Sequence, residues 1–309
     1  MVGVIVAACA FSDLFFGKIW FYDACPTSLQ ALHAVNGSDL RISIFHVIPA
    51  SEASVTVALC ALTVAALMLS IGLKTRLSAF TVWLLHLSFY NQNTFIWNCG
   101  DSFLQICTLL MFLGPAENMY SLDAWIRRKQ GKSALPTMCE PWAQRLLQFQ
   151  IAVIYCCGFL YKSGQTWMDG TAVHYALNSY SFSYAHIPMF DVLWVSQLVT
   201  WGTLAFEFTL FTLIWVKEFR KWVLVAGFFM HSAMFATMSI HALEILIVAS
   251  YLNFVDPLVI EGLVSKFQRR KLSPHQAGEF SSEICADNLS VKAEAAGELN
   301  EPALSSSGA

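Results

Sequence analysis

Ser51-Glu-Ala-Ser-Val-Thr-Val-Ala-Leu-Cys60-Ala-Leu-Thr-Val-Ala-Ala-Leu-Met-Leu-Ser70-Ile-Gly-Leu-Lys-Thr-Arg76 decides the fold of this chain. From Ala53 to Leu73 no side chain is charged, and a helix that spans a membrane needs roughly 17–25 mostly apolar residues. Lys74 and Arg76 follow at once, as expected of a membrane helix that ends on a cytoplasmic turn. Working outward, eight stretches read as spans: about 1–22, 52–73, 77–97, 102–119, 145–163, 190–216, 222–240 and 241–256. The first carries Asp13 and Lys18, and the last two are separated only by Ser239-Ile240-His241.

Composition agrees. Hydrophobic residues make up 56% of the chain and charged residues 13%, with a mean hydropathy of +0.55. A soluble domain carries about 25% charged residues, so this chain cannot cover a water-facing surface. The alternating polar rhythm of a membrane β-barrel is missing, and helices are then the way to satisfy the backbone in lipid. The expected fold is all-α, a polytopic integral membrane helical bundle of about eight transmembrane helices, with the lipid bilayer as its partner. A net charge of −3 argues against nucleic acid, which asks for a strongly basic face. Nine cysteines form no CxxC pair and no His/Cys cluster at zinc spacing, so no metal site is expected. The adjacent Cys156-Cys157 reads as small packing residues in an apolar run.

The basic residues orient the spans. They gather at Lys74/Arg76, Arg127/Arg128/Lys129/Lys132, Lys217/Arg220/Lys221 and Lys266/Arg269/Arg270/Lys271, while the loops 23–51, 91–101 and 164–189 hold one Arg and no Lys. Eight spans with a cytoplasmic N-terminus put all four clusters inside, as the positive-inside bias requires. The expectation is a multi-pass cell-membrane protein with both termini cytoplasmic. Residues 1–262 form the transmembrane domain, and 263–309, rich in Glu, Ser, Ala and Gly, form a disordered cytoplasmic tail. The apolar start could also be read as a signal peptide ending at Ala7-Ala8-Cys9-Ala10. No basic residue precedes it and its apolar run continues through Phe21, which favours a helix.

An ionisable group at membrane depth costs at least a few kcal/mol, so each needs a partner or a task. Asp13, Lys18, His86, Asp101, Lys162, Glu207, His231 and Glu244 are such groups. Lys18 reads as snorkelling to an interface, and Glu207 equally as a helix-joining or a catalytic acid. Lys162 closes the fifth span on the outer side, where topology supplies no reason for a lysine. It is either a snorkelling helix end or an amine kept dry enough to lose its proton and act as a base. Asp101 and His231 lie towards the same face, and these three are the candidate catalytic residues. In the loop that follows, Asp169 is positioned to cap a short helix from about Gly170-Thr171 to Ser179. Trp167, His174, Tyr175, Tyr180, Phe182 and Tyr184 make that loop aromatic. It is then either an interfacial belt or a lid whose flat faces, Trp167 and Tyr175 among them, suit a ring such as a quinone.

At these residues the chain resembles a known family. Lys162-Ser-Gly-Gln-Thr-Trp167-Met-Asp169-Gly170-Thr171-Ala172 is similar to the lysine, tryptophan and acidic-Gly series of the HTTM (horizontally transferred transmembrane) domain, the membrane core of vitamin K-dependent γ-carboxylases. Gly72-Leu-Lys-Thr-Arg76, Asn98-Cys-Gly100-Asp101, Ser121-Leu-Asp123-Ala and Phe229-Met-His231 resemble further landmarks of that family, in order, across residues 40 to 256. The resemblance implies that Lys162 is the base that deprotonates a quinol, reduced vitamin K or menaquinone, whose oxygenation drives removal of a γ-proton from a glutamate on an extracytoplasmic protein or peptide. Where animal members open a helix with histidine, this chain has Gly100-Asp101. The carboxylases also carry a large luminal region after the membrane core, whereas about fifty residues follow the last span here. A glutamate substrate would therefore need another docking surface or a partner membrane protein. The alternative function is a non-catalytic accessory membrane protein for peptide maturation or export, with Lys162 and Asp101 as an ion pair between helix ends. A transporter fits less well, because no broken-helix pair falls near the midplane.

Overall fold

The computed structural model describes residues 1–29, 31, 41–118, 121–132, 140–179, 182–184, 186–256, 259, 260 and 262. The expected tail over 263–309, the basic cluster at Lys266–Lys271 and Tyr180 lie outside these residues. One compact unit runs Met1–Phe254. Its regular structure is helical, and the one β-bridge among the described residues pairs Ser183 with Met238.

The helices are α1 (Val2–Ser12), α2 (Glu52–Ile71), α3 (Thr75–Gln92), α4 (Cys99–Leu113), α5 (Leu122–Lys129), α6 (Trp142–Tyr161), α7 (Gln165–Met168), α8 (Ala172–Leu177), α9 (Leu193–Thr212), α10 (Lys217–Thr237) and α11 (His241–Ser250). α1 continues through a π turn at Asp13–Gly17 and a 3₁₀ turn at Lys18–Phe21, and α11 continues as a 3₁₀ turn at Tyr251–Phe254. α1 lies along α2, α2 along α3 and α3 along α4, while α6 packs on α9 and α10 on α11. α4 and α11 also touch α6 and each other, joining the early helices to the late ones.

α2 shows how the bundle divides core from lipid. Val55, Leu59, Leu62, Ala66 and Leu69 are buried on one stripe, whereas Val57, Val64, Leu67 and Ile71 are more than half exposed on another. An apolar stripe of that size facing outward suits hydrocarbon, where neither face has to be polar. Gly3 lets α1 approach closely, since a Cβ there would lie 2.5 Å from the Ala66 carbonyl oxygen. Small residues at a helix contact are the usual device where lipid replaces water.

Two of the sequence landmarks form one clasp. Ser51 caps α2 by accepting the Ser54 N–H at 3.3 Å, and the helix ends on Gly72 in the left-handed region with φ 69°. A Cβ on Gly72 would also fall 2.7 Å from the Ser121 Cβ, so only glycine fits. Asp123 accepts the N–H groups of Lys74 and Thr75, each at 2.8 Å, and the Thr75 hydroxyl at 3.0 Å. Its own N–H donates to the Gly72 carbonyl at 3.0 Å. Partial burial pushes the Asp123 carboxyl up, but these three donors outweigh it and hold the carboxyl below its ordinary value.

The eight apolar stretches all become helices, yet four are long and apolar enough to cross a membrane: Val2–Phe21, Glu52–Ile71, Trp142–Tyr161 and Leu193–Trp215. α4, at 15 residues, extends roughly 22 Å at 1.5 Å per residue, short of a ~30 Å core. The region Ala242–Phe254 is short as well. α3 and α10 have the length but are diluted by polar residues. At the end of α3, Asn91 Nδ2 donates to the Ile42 carbonyl (2.7 Å), Gln92 Nε2 to Asp23 Oδ1 (3.1 Å) and Asn93 Nδ2 to the Trp20 carbonyl (2.9 Å). Asn91 and Asn93 thereby satisfy loop carbonyls that would otherwise be orphaned, Gln92 ties the Asp23 carboxylate, and α3 stops before residue 97. Lys18 does not merely snorkel: its Nζ lies 2.8 Å from Glu52 Oε1 at the start of α2.

Candidate functional site

α6 ends at Tyr161, and Lys162 is its C-cap, with its N–H on the Phe159 carbonyl at 3.2 Å. The helix thereby aims Lys162 Nζ at Glu207 Oε1 on α9, forming an ion pair whose side chains are 24% and 10% exposed. The amine also stands 5.3 Å above the Trp167 ring centroid, within cation–π range. Lys162 is thus partnered rather than free at an interface, and its partner is Glu207, not Asp101.

The segment after Lys162 is fastened to α9. Trp201 Nε1 donates to the Met168 carbonyl (3.2 Å), Gln197 Nε2 to the Asp169 carbonyl (3.2 Å) and Ser196 Oγ to the Gly170 carbonyl (3.0 Å). Asp169 does not cap the following helix. It accepts both contacts from Gln165 Nε2, and Thr171 takes the cap position without a side-chain bond. Tyr175 is 58% exposed and packs edge-on against His174.

His231 on α10 is buried and enters a chain of polar contacts crossing three helices. Its Nδ1 meets Glu244 Oε2 on α11, its Nε2 lies 2.6 Å from the Tyr155 hydroxyl on α6, and that hydroxyl lies 2.7 Å from the Tyr251 hydroxyl. In the neutral imidazole with Nδ1–H donating to Glu244, Nε2 accepts from Tyr155, and Tyr155 accepts from Tyr251. The carboxylate thereby fixes the imidazole tautomer.

These groups border one cavity of about 530 Å³ where α4, α6, α9, α10 and α11 meet. Lys162, Glu207, His231, Glu244 and Tyr155 line it, and Phe103, Val153, Ile154, Leu243 and Ile247 make the rest of the wall largely apolar. Cys157 of the pair read as packing residues also reaches it as a free thiol. Asp101 is elsewhere. Its Oδ2 accepts the Asn98 N–H at 3.0 Å in a capping box, and it lines a cavity of about 40 Å³ with Asp13 and His86. The structure therefore brings Lys162 and His231 together and leaves Asp101 and Tyr175 apart from them; Trp167 is at hand through the Lys162 amine. Sequence reasoning leaves Glu207 equally a helix-joining or a catalytic acid and marks Glu244 only as an ionisable group in need of a partner. It missed Tyr155 and Tyr251, which look like any aromatic in an apolar run.

Comparisons with known proteins agree with the landmarks. The chain is 23% identical over 224 residues to the uncharacterised protein YitO of Bacillus subtilis (strain 168), a match covering 68% of this chain and 71% of that protein. No solved structure matches it. The HTTM domain matches residues 5–257 of the 309, and the chain belongs to the HTTM domain family.

Proposed function

We propose that this chain is a membrane enzyme in which Lys162 acts as a base towards a quinol, reduced vitamin K or menaquinone, drawn from the bilayer into the cavity between α4, α6, α9, α10 and α11. The observation that carries this reading is that Lys162 and His231, with their carboxylate partners, border one mostly apolar cavity. Its volume of about 530 Å³ lies within the range of small-molecule sites. Apolar walls suit a fused ring, and polar groups confined to a few positions would orient it.

When bound and oxidised by molecular oxygen, such a quinol supplies a base strong enough to take a carbon-bound proton. The protein's part is proton handling. Glu207 holds the Lys162 amine towards the cavity and takes over its proton, so that the amine can accept another. Glu244 and Tyr155 hold the His231 imidazole in one tautomer as a second proton-transfer group. The largely apolar lining shields the His231–Glu244 pair almost fully and the Lys162–Glu207 pair in part, which strengthens their interaction. Asp101, on its separate cavity, has no part in this scheme. In this reading the eight apolar stretches all cross the cell membrane, the shorter ones with their flanking turns, with both termini cytoplasmic and the cavity near the outer face; the basic clusters support this orientation. The reaction is then a carboxylation or an epoxidation acting on an extracytoplasmic protein or peptide.

The test is quinol consumption and radiolabelled bicarbonate incorporation by the protein in nanodiscs. Lys162→Ala should lower both at least about 100-fold, the size of a general-base contribution, while the protein stays folded. Wild-type rates in that variant reject Lys162 as the base.

One observation favours the accessory-protein alternative: both carboxylates are already tied to a neighbouring helix, Glu207 to Lys162 and Glu244 to His231. If the pairs serve only to join helices, a Lys162→Glu/Glu207→Lys exchange restores the accumulation lost in each single variant, and no quinol is consumed by any of them.

A further inference from the structure

The turn between α2 and α3 carries a charged cavity that the proposed chemistry does not use. α2 is long and apolar enough to cross a membrane and ends at Ile71, so Lys74 and Arg76 stand at headgroup depth. Lys74 alone among the described non-glycine residues has a positive φ, 44°. The left-handed region is costly for a residue with a Cβ, and glycine would make the same turn freely. Strain at a residue that glycine could replace points to the side chain as its purpose. Lys74, Thr75, Arg76, Leu77, Glu117 and Asp123 line a cavity of about 260 Å³ here. Both of its carboxylates are engaged. Asp123 accepts the N–H groups of Lys74 and Thr75 and the Thr75 hydroxyl, so the start of α3 already has its anion. Glu117 Oε1 pairs with Arg76 Nε at 2.8 Å, yet the Arg76 side chain is still 58% exposed. Lys74 is exposed and forms no ion pair among the described residues. Residues 72–77 and 115–132 together hold six basic and two acidic side chains, so this end of the molecule is strongly positive.

We propose that Lys74 and Arg76 hold the phosphodiester headgroup of an anionic phospholipid at the α2–α3 turn. The amine and the outer guanidinium nitrogens offer charge-assisted donors to the phosphate oxygens. Leu77, 58% exposed beside the two cations, offers an apolar edge to the lipid's glycerol and first acyl carbons. On α5, which Asp123 clasps to this turn, Trp125 is 51% exposed and the Lys129 amine lies 4.4 Å from its ring centroid. An exposed tryptophan among basic residues belongs at the membrane–water interface, which places the cavity where lipid headgroups are. That apolar surround favours a lipid over free phosphate. A seated headgroup also differs from diffuse attraction to the basic run of α5, because the strained residue and the cavity belong to the turn. The site is separate from the Lys162 cavity, and no step of the proposed chemistry depends on it.

The experiment titrates delipidated protein in neutral maltoside micelles with dioleoyl phosphatidylglycerol or dioleoyl phosphatidylcholine. Native mass spectrometry counts the retained lipids, and tryptophan fluorescence follows the unfolding midpoint. The wild type should retain one phosphatidylglycerol in preference to phosphatidylcholine and melt higher with it. Lys74→Gly removes the amine and relaxes the left-handed turn. It should therefore match or exceed the wild-type midpoint without lipid, yet lose about five-fold of the preference, the worth of one interfacial cation. Arg76→Gln, whose amide can still donate to Glu117, should lose a similar factor. Arg128→Gln/Lys129→Gln, on α5 but off the cavity wall, should keep most of the wild-type preference. A wild type without preference overturns the proposal. So does a preference that survives both Lys74→Gly and Arg76→Gln, or that is lost in the α5 variant instead, since either leaves only diffuse attraction. Equal stabilisation by inorganic phosphate and by phosphatidylglycerol overturns the lipid as occupant.

Discussion

Replacing Lys162 by Met removes the cation that Glu207 faces and leaves both of its oxygens without a partner, since Oε2 already has none among the described residues. Breaking a buried ion pair in this way costs about 3–5 kcal/mol. The Lys162 side chain is 24% exposed, so some solvent screening applies and about 2–4 kcal/mol is the better expectation. Loss of the contact with the Trp167 ring, 5.3 Å away, adds about 0.5–1 kcal/mol. The double variant Lys162→Met/Glu207→Leu removes the stranded charge, and buried pairs replaced by apolar residues of similar size are often neutral. It should therefore be more stable than Lys162→Met, with a coupling energy of about 2 kcal/mol or more. Reversible unfolding in mixed micelles, monitored by tryptophan fluorescence across the four members of the cycle, measures this directly. A cost under about 1 kcal/mol with no coupling means that the pair is wetted. Lys162 is then not a desolvated base.

The α2–α3 clasp yields two further expectations. Folding lowers the proton affinity of Asp123, so the unfolded chain takes up that proton first on acidification. The clasp's contribution is complete above the ordinary carboxylate value of 3.8 and is lost as pH falls through the lower, folded value. Asp123→Asn should flatten stability below about pH 4 and cost about 1–2 kcal/mol near neutrality, measured as unfolding midpoints against pH. Gly72→Ala, which meets both a φ of 69° and a Cβ only 2.7 Å from Ser121 Cβ, should cost about 1–3 kcal/mol. Gly131→Ala, with φ 65° but nothing within 4 Å, should cost about 1 kcal/mol and is the control in the same thermal assay.

Some of the site was legible before any coordinates. Lys162 stands out because a lysine at the outer end of an apolar helix has no topological reason to be there, and His231 because imidazole is rare at membrane depth. The capping role of Asp101 could have been anticipated from Asn98-Cys-Gly-Asp101, a cap residue with an acid three positions on. In isolation an acid near the outer face looks functional, which is what makes Asp101 a catalytic candidate from sequence. Asp169 failed as a cap for a local reason: the Gln165 side chain, one turn earlier, occupies its carboxylate. The eight-span count rests on apolar length and on the placement of the four basic clusters. Neither reveals where Asn91 and Asn93 turn back to bind loop carbonyls and Gln92 to bind the Asp23 carboxylate, at the early end of α3.

The chain's apolar runs, by themselves, determined that it is helical and membrane-embedded, because backbone bonding in lipid leaves so few alternatives and each helix closes its bonds within a few residues. Only tertiary structure decided which ionisable groups meet. Lys162 and Glu207 lie 45 residues apart, His231 and Glu244 lie 13 apart on different helices, and Tyr155 and His231 lie 76 apart. Pairing over such separations depends on how helix faces rotate and cross, which no local pattern encodes. A glutamate in a sequence has two equivalent oxygens, and packing alone commits one of Glu207 to Lys162 and one of Glu244 to His231.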